Sequence, residues 1–530
     1  MNRYAMLQNL RSHEGIWEIL VIGGGATGLG IAVDAATRGF KTLLLEQNDF
    51  AKGTSSRSTK LVHGGVRYLQ QGGISLVIEA LKERGLMIQN APHLVSKQGF
   101  VIPNYNCWDG AFYNLGLKIY DFMSGNLGIG SSKRISVKEM INYIPTIDQK
   151  ELKGGIVYFD GQFDDARMAI SLAKTAAQFN GVLINYMKVE EIKKNREGIS
   201  EGVIASDLET KKKYQIQSKV IINATGVFAD SVIKMDNPDA SEMIQPSQGT
   251  HIVLDASFLP GKYAIMVPNT KDGRILFAVP WHNKVIVGTT DTVIEKALLE
   301  PHFQLYEVEF ILETASKYLT KKPTKKDILS VFSGLRPLVK PEGKIKSTKE
   351  ISRHHNVMIS SSGLITVIGG KWTTYRKMAE DTVNNAILLG KLKASPCITD
   401  NLPIFGYDKN LNLTEDPLAI YGTEKQKLLD LEAENPIYGD IISESLPLRI
   451  SQIIWAVRHE MARTIEDMLA RRVRGLFLDV NESLRIAPKV AQIMADELHK
   501  SPDWIKNQLK EFRATARQYQ LVDNESHNWK

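Results

Sequence analysis

Apolar and polar positions near the N-terminus follow the order strand, helix, strand. The apolar run Ile19–Ile22 predicts a buried strand, and the turn Gly23-x-Gly25-x-x-Gly28 leads into a helix predicted over residues 26–38. A second apolar run, 41–45, predicts another strand, which closes on Glu46. This βαβ arrangement has the spacing of a dinucleotide-binding fingerprint.

The glycines of this turn have separate roles in such a fingerprint. Gly23 permits the tight turn, Gly25 lets the backbone approach a pyrophosphate, and Gly28 lets the helix pack closely on the strand. The start of the helix offers N–H groups and a partial positive charge to phosphates. Glu46 stands where a carboxylate would bind the ribose hydroxyls. The sequence therefore predicts a bound dinucleotide, with a tight turn that binds no ligand as the alternative.

Further along the chain, the order of predicted strands and helices changes. Strand and helix patterns over 154–222 end at a second strand-to-glycine junction, 223–226. Between 245 and 345, short apolar runs alternate with turns, which is typical of an antiparallel sheet. At 363–384 a strand, Gly369-Gly370 and a helix repeat the first pattern. The nucleotide-binding sheet is therefore predicted to be interrupted by an inserted domain and then completed.

Two points favour one bound FAD over NAD. A continuous NAD domain would not need a third piece of the sheet, and the sequence has no second GxGxxG for a nicotinamide nucleotide. We predict an α/β fold with a discontinuous Rossmann-like FAD-binding domain, an inserted antiparallel-sheet substrate-binding domain and a C-terminal all-helical domain. The expected bounds are 15–90, 154–245 and 350–395 for the FAD-binding domain, 91–153 and 246–349 for the substrate-binding domain, and 396–530 for the helical domain.

Two helical segments allow more than one interpretation. In Trp108–Met123, apolar residues recur at helical spacing, which favours packing in the core over lying on a membrane. Residues 455–472, within a helix predicted over 449–472, carry alternating charges. For them we favour salt-bridged packing.

Composition narrows the class of protein. The 530 residues are 43% hydrophobic and 24% charged, which is typical of a globular protein with a sizeable core. The two cysteines, Cys107 and Cys397, lie far apart, which fits a reducing compartment and excludes a disulfide framework or a cysteine-ligated metal site. The N-terminus lacks the apolar core of a secretory signal, and no apolar run is long enough to span a membrane.

The formal net charge is +7, which suits an anionic substrate or an anionic membrane surface, although it also serves solubility alone. No long Lys/Arg block is interleaved with aromatics, so we do not expect nucleic acid as a partner. Residues 53–68 combine glycines and small hydroxyl residues with Lys60, His63, Arg67 and Tyr68. We predict that this segment lies against a large planar cofactor; a surface loop is the alternative.

Five ordered motifs resemble the FAD-dependent glycerol-3-phosphate dehydrogenases. They are TSSRSTKLVHGGVRYL (54–69), NATGVFAD (223–230), SGLRPL (333–338), GGKWTTYRKMAE (369–380) and VRHEMARTIEDMLARR (457–472). The resemblance implies oxidation of sn-glycerol 3-phosphate to dihydroxyacetone phosphate, with hydride passing from C2 to flavin N5 and electrons then passing to a membrane quinone. It also implies a cytoplasmic enzyme held peripherally at the inner face of the cell membrane.

A phosphate dianion needs several fixed cations, and Arg67, Arg336 and Lys371 supply them from separate motifs. With Tyr68 they form the expected substrate site. His251 occupies the family's position for a histidine of the substrate site, and we expect it to accept the hydroxyl proton. Arg336 or Lys371 would stabilise the developing carbonyl oxygen, so these two and His251 are the expected catalytic residues.

The residues expected to bind the cofactor come from the same motifs and from the first βαβ unit, together with Val189 from the region 154–222. They are Gly23, Gly25, Ala26, Thr27, Gly28, Glu46, Gln47, Thr54, Ser55, Ser56, Ser58, Thr59, Lys60, Leu61, His63, Gly64, Val189, Ala224, Thr225, Gly226, Gly370, Lys371 and Thr373. No bound metal is expected, and the D-x-D-x-D-G run of the calcium-regulated mitochondrial members is absent from this sequence.

Other activities stay open at this stage. An oxidase that uses oxygen, acting on glycerol 3-phosphate or on another amino or hydroxy acid, shares the first motif. The compact 230–345 stretch has no room for the insertion common in glycerol-phosphate oxidases, which favours a dehydrogenase. A non-enzymatic FAD-stabilised RNA-binding or scaffold protein is a third hypothesis. A homodimer is also left open.

Overall fold

The structure is a computed structural model that describes residues 1–66, 73–105, 107–268, 270, 273–340, 354–410 and 416–521, with the backbone alone for 107–112. Two sheets and a C-terminal helical unit make up these residues. The helices are Arg3–Ser12, Ala26–Thr37, Ile74–Asn90, Cys107–Met123, Val137–Tyr143, Asp165–Gln178, Ala229–Asp236, Leu305–Ala315, Tyr375–Leu389, Lys425–Glu434, Ile450–His459, Gly475–Leu478, Val480–Leu498 and Pro502–Ala516.

The predicted βαβ unit lies at the centre of the first sheet. Across this sheet the strands are His355–Ile359, Ile365–Gly369, Lys213–Asn223, Trp17–Ile22, Thr42–Leu45 and Val182–Ile184, and all but the first run parallel. The hairpin Met187–Lys194 and Ser200–Asp207 extends Lys213–Asn223. Ile365–Gly369 comes from the third piece of chain, which confirms that the sheet is interrupted and later completed.

The second sheet forms the inserted domain and is mainly antiparallel. In order its strands are Thr292–Val293, Ile244–Asp255, Lys284–Gly288, Leu276–Trp281, Tyr263–Val267, Val95–Asn104, Gly154–Phe163 and Leu61–Val62, while Ile328–Val339 pairs with Ile244–Asp255 and Lys133–Ile135 with Gly154–Phe163. Tyr263–Val267 and Val95–Asn104 form a parallel pair. The α/β fold class with an inserted antiparallel sheet is thus confirmed.

The expected domain bounds need correction at two strands. The strand Leu61–Val62 falls in the predicted piece 15–90 of the FAD-binding domain but pairs with Gly154–Phe163 in the second sheet. We placed the second piece of the FAD-binding domain at 154–245, but the strand Gly154–Phe163 pairs along its length with Val95–Asn104 in the second sheet. Nearly every residue of the strand is buried, so its sequence carries no alternation that assigns it to one sheet. The chain returns to the first sheet through helix Asp165–Gln178.

The C-terminal unit is mainly helical, with one added hairpin, Ile441–Ser443 and Leu448–Arg449. The continuous helix expected over 449–472 is wrong. Helix Ile450–His459 stops at Glu460, the next residue has φ +56°, and the chain resumes as a π-helix over Asp467–Arg472. The break lets the Glu460 carboxylate turn inward, where Arg167 donates two hydrogen bonds of 2.7 and 2.8 Å to it.

Candidate active site

The glycine turn has the close contacts that its fingerprint requires. A Cβ at Gly28 would lie 1.9 Å from the Gly23 carbonyl oxygen, so no side chain fits there. Gly23 has φ +108°, in the region that favours glycine. Gly25 caps helix Ala26–Thr37 without a side-chain hydrogen bond, which leaves the helix start available to an anion.

A cavity of about 430 Å³ opens beside this turn. Predicted cofactor residues from four separate motifs line it, together with Val189. Those from the motifs are Gly23, Gly25, Ala26, Thr27, Glu46, Gln47, Thr54, Ser55, Ala224, Thr225, Gly226, Gly370 and Lys371. Glu46 accepts hydrogen bonds from the N–H groups of Gly24 and Asn48, at 2.6 and 2.7 Å. Burial raises the pKa of Glu46, and these two donors oppose the rise.

A second cavity, of about 310 Å³, continues from the first. The two share Thr54, Pro337 and the turn 369–372 as walls. The predicted cofactor residues that line the second are Thr54, Ser58, Thr59, Leu61, His63, Gly370, Lys371 and Thr373. The residues that line the two cavities would hold an extended dinucleotide such as FAD, and the N–H groups at the helix start would suit its pyrophosphate.

Four predicted cofactor residues lie behind these walls instead. Gly28 packs against the first strand, and the N–H of Gly64 donates to Tyr120 at 2.8 Å. The Ser56 carbonyl accepts from Lys60, whose Nζ also donates to Asp165 at 2.6 Å. A run of hydroxyl and basic residues does not reveal which members turn inward to pair with a buried carboxylate.

Arg336 lies on strand Ile328–Val339 and lines the second cavity. Its Nη2 donates to the Thr290 carbonyl at 3.0 Å, and its Nη1 lies 3.4 Å from an Asp291 carboxylate oxygen. Gly249 on the adjacent strand leaves room for the guanidinium, because a Cβ there would lie 2.5 Å from Nη2. These contacts fix the guanidinium plane at the wall of the cavity.

Lys371 lies where the two cavities meet. It follows Gly369 and Gly370, whose φ angles are +76° and +77°. A Cβ at Gly370 would lie 2.4 Å from the sulfur of Met378, so this turn requires glycine. Lys371 then caps the turn Trp372–Thr374 that opens helix Tyr375–Leu389, which adds the positive end of the helix to its own charge.

His251 also lines the second cavity and is almost fully buried. Its Nε2 lies 2.9 Å from the Thr59 hydroxyl, and its ring stacks on Phe332 with centroids 4.7 Å apart. Burial, followed by the charges of Lys60 and Arg336, holds the pKa of His251 well below its usual value. When Nε2 carries the proton and donates it to Thr59, Nδ1 keeps a free lone pair.

The structure therefore brings His251, Arg336 and Lys371 to one cavity, although they are far apart in sequence. The other two predicted substrate residues, Arg67 and Tyr68, lie outside the described residues. Sequence reasoning missed Arg274 and Asp291, which line the same cavity. The missed signal was a carboxylate three residues after the strand Lys284–Gly288.

Sequence reasoning also missed Glu307, which is buried beneath this wall. Its carboxylate accepts hydrogen bonds from the side chains of Gln248, Thr250, Thr290 and Thr292 and from the Gln304 N–H. It therefore fixes the strand ends that hold Arg336. Nothing in the sequence of helix Leu305–Ala315 distinguishes this glutamate from its exposed neighbours.

Family models match nearly the whole described chain. A model of FAD dependent oxidoreductases matches residues 18–376, and a model of the C-terminal domain of alpha-glycerophosphate oxidase matches 365–504. Mitochondrial glycerol-3-phosphate dehydrogenase of Macaca fascicularis is 39% identical, with 95% of this chain and 73% of that protein covered. The enzyme of that name from Schizosaccharomyces pombe is 36% identical, with 91% and 84% covered.

Two solved structures share the fold of this chain. Glycerol-3-phosphate dehydrogenase from Bacillus halodurans, complexed with FAD, has a TM-score of 0.79 and 29% identity, and 99% of each chain is covered. L-alpha-glycerophosphate oxidase from Mycoplasma pneumoniae, with FAD bound, shares the fold at a TM-score of 0.55 and 16% identity, over 73% of this chain and 98% of that one. The chain belongs to the family of FAD-dependent glycerol-3-phosphate dehydrogenases.

Proposed function

We propose that this enzyme oxidises sn-glycerol 3-phosphate to dihydroxyacetone phosphate and passes the electrons to a membrane quinone. One observation carries the proposal: His251, Arg336 and Lys371 line a single cavity that continues into the cavity beside the glycine turn. A base and two cations around one small space suit an alcohol that carries a phosphate.

The two cations have different tasks. Arg336 presents a planar fork held by the Thr290 carbonyl and Asp291, which suits two oxygens of one phosphate or the developing carbonyl oxygen. Lys371 is a point charge on a flexible stem at a helix start, and it lines both cavities, which suits a phosphate group. Because Asp291 offsets part of the Arg336 charge, the phosphate needs Lys371 as well.

His251 removes the hydroxyl proton in this proposal. Its lowered pKa keeps the imidazole neutral at pH 7, as a base requires, and the Thr59 contact orients the ring. FAD, when bound, would supply the acceptor for the hydride that leaves C2. Proton removal as the hydride leaves avoids positive charge at C2, and Arg336 stabilises the oxygen that becomes the carbonyl.

Anaerobic flavin reduction tests the substrate. Purified enzyme should bleach near 450 nm when glycerol 3-phosphate is added under argon, whereas glycerol, which lacks the phosphate, should leave the spectrum unchanged at equal concentration. Equal bleaching by both compounds, or by neither, contradicts the proposal.

The acceptor is tested separately on the reduced enzyme. Reoxidation by a short-chain quinone should exceed reoxidation by air-saturated buffer by at least tenfold. Fast reoxidation by oxygen with release of hydrogen peroxide would instead assign the enzyme to the oxidases.

An exposed apolar face supports the membrane part of the proposal. Ile74 and Ile78 on helix Ile74–Asn90 are 57% and 47% exposed, and Leu115, Ile119 and Phe122 on helix Cys107–Met123 are 65%, 47% and 87% exposed. The second helix also buries Leu117 and Tyr120, so it both packs on the protein and presents apolar side chains outward. Among the described residues, no helix is both long and apolar enough to cross a bilayer.

We assign this face to the anionic inner surface of the cell membrane, because apolar side chains combined with a net charge of +7 favour anionic lipid. Phe122→Glu should reduce flotation with phosphatidylglycerol vesicles at least tenfold and leave flavin reduction by glycerol 3-phosphate unchanged. The matched control is Leu388→Glu, which alters a side chain 79% exposed on another helix. Unchanged flotation of the Phe122 variant would contradict the assignment.

A further inference from the structure

A set of buried charged side chains joins the C-terminal unit to the wall of the FAD cavity. The wall segment, residues 46–60, is called the cofactor loop below, and its residues line both cavities. Three hydrogen bonds attach it to the glycine turn. The Gly24 N–H donates to the Glu46 carboxylate at 2.6 Å, the Ala51 N–H donates to the Gly24 carbonyl at 2.9 Å, and the Ala26 N–H donates to the Ser55 hydroxyl at 2.9 Å. The position of the loop therefore sets the shape of the cofactor site.

Asp49 is the centre of the contact. It is fully buried, and its two carboxylate oxygens receive Arg471 Nε at 2.6 Å and Arg472 Nη1 and Nη2 at 2.8 and 2.9 Å. Both arginines are also buried and belong to the C-terminal unit. A buried carboxylate of this kind is stable as a charge only when its partners are in place.

Two further contacts hold the same loop from the same side. Lys52 lines the first cavity, and its Nζ lies 2.6 Å from the Glu466 carboxylate. Arg474 donates to the Ser56 carbonyl at 2.8 Å and to Asp165 at 3.0 Å. Residues 466–474, the docking segment, thus contact the cofactor loop near its beginning, middle and end.

The backbone of the docking segment is irregular where these contacts form. Asp467–Arg472 is wound as a π-helix, with Val473 N–H donating to the Met468 carbonyl at 3.1 Å. Arg474 has φ +66°, which a residue with a side chain rarely adopts. Such a conformation persists only when its surroundings determine it, and it is concentrated at functional sites.

We propose that the docking segment is part of the FAD site: by holding the cofactor loop against the glycine turn, Arg471, Arg472 and Arg474 act as positioning residues for FAD. By linkage, bound FAD tightens the docking of the C-terminal unit in return. The C-terminal unit thereby gains a role in cofactor retention, although none of these three arginines lines either cavity.

The rate of FAD release from diluted holoenzyme tests the proposal through the rise in flavin fluorescence. Arg472→Met should speed release at least tenfold. The matched control is Lys174→Met, which removes another buried ion pair between the two units, Lys174–Glu424, that does not touch the cofactor loop. This control should lose thermal stability and release FAD within twofold of the wild-type rate.

A milder variant keeps the test decisive if Arg472→Met does not fold. Glu466→Gln keeps the side-chain shape at a partly exposed position and should speed release severalfold. Equal release from wild type, Glu466→Gln and any folded Arg472→Met, or equally fast release from Lys174→Met, overturns the proposal. Since no substrate is present, the result does not depend on which alcohol the enzyme oxidises.

Hydrogen exchange tests the reciprocal effect. Amides of residues 461–478 should exchange more slowly in the holoenzyme than after FAD removal, while those of helix Pro502–Ala516 should change little. Identical exchange of 461–478 in the two states would contradict the linkage.

Discussion

The two halves of the cleft are built in different ways. The half beside the glycine turn is centred on that turn and the helix that follows it, and it presents backbone N–H groups and a helix start. The other half takes His251, Arg336 and Lys371 from strands and turns that are distant in sequence, and it presents charged side chains. The half beside the glycine turn depends on glycines, which have no side chain, whereas the other half depends on charged side chains.

Substitutions in the two halves should therefore have different consequences. A change in the first half prevents the cofactor from fitting, and every activity that needs FAD is lost with it. A change at His251 or Arg336 in the second half should leave the cofactor bound and remove only the chemistry. Each prediction below tests one side of this division.

The largest effect should come from Gly28→Ala. The added Cβ would lie 1.9 Å from the Gly23 carbonyl oxygen, so turn and helix must separate, at a cost of about 3 kcal/mol. FAD affinity should fall by about 100-fold, or FAD should be lost during purification. Flavin content per protein is the measurement. Gly116→Ala is the control, because a Cβ there meets nothing within 4 Å.

Arg336→Met should have the next largest effect. In contrast to Gly28→Ala, it should lower the catalytic rate and leave the flavin content unchanged. Flavin content should equal that of the wild type, while kcat/KM for glycerol 3-phosphate falls by about 1,000-fold, since a fixed charge at the reacting end is removed. Arg336→Lys should recover only a small part, because a point charge cannot replace the planar fork. Loss of FAD from Arg336→Met would contradict the division between the halves.

His251→Asn should lower kcat by about 100-fold with FAD retained. The pKa of His251 lies well below its usual value because of burial and the charges of Lys60 and Arg336, so the imidazole is neutral throughout pH 6–8. The ratio of wild-type to variant rates should therefore stay constant over this range, since the substrate phosphate titrates alike in both. A ratio that falls near pH 6.5 would assign His251 an ordinary pKa.

The smallest effect is expected at Asp49, where the cofactor loop contacts the C-terminal unit. Burial alone raises the pKa of Asp49, but Arg472 and Arg471 lower it from 3.8 to about 2. The resulting stabilisation, about 2 kcal/mol, is complete above pH 4 and is lost as the pH falls through 2. The difference in unfolding free energy between wild type and Asp49→Asn should therefore be constant from pH 5 to 8 and shrink below pH 4. A constant difference down to pH 2 would contradict this.

Sequence reasoning succeeded wherever neighbouring residues act together. The glycine spacing, the strands on either side of it and the return of the pattern at 363–384 all reflect backbone geometry, which a local pattern records. It failed for the strand Gly154–Phe163, because a strand buried on both faces pairs equally well with either sheet. The amphipathic helix Cys107–Met123 was correctly predicted as a helix, but the expectation that its apolar residues pack in the core is wrong for Leu115, Ile119 and Phe122, which face outward.

The charged residues show most clearly that a local sequence pattern does not identify the partner of a side chain. Alternating charges over 455–472 predicted salt-bridged packing, yet only the structure places Arg471 and Arg472 on Asp49, more than 400 residues away in the chain. Lys60 was expected at the cofactor and instead pairs with Asp165 behind the wall.

By itself, the sequence determined that a dinucleotide turn exists, that the chain builds two kinds of sheet, and which motifs carry cations. Only the tertiary structure decided which of those cations reach the cavity and which neutralise a buried carboxylate. The physical reason is that a glycine turn is specified by local backbone geometry, whereas the role of a charge depends on the partner that folding brings to it.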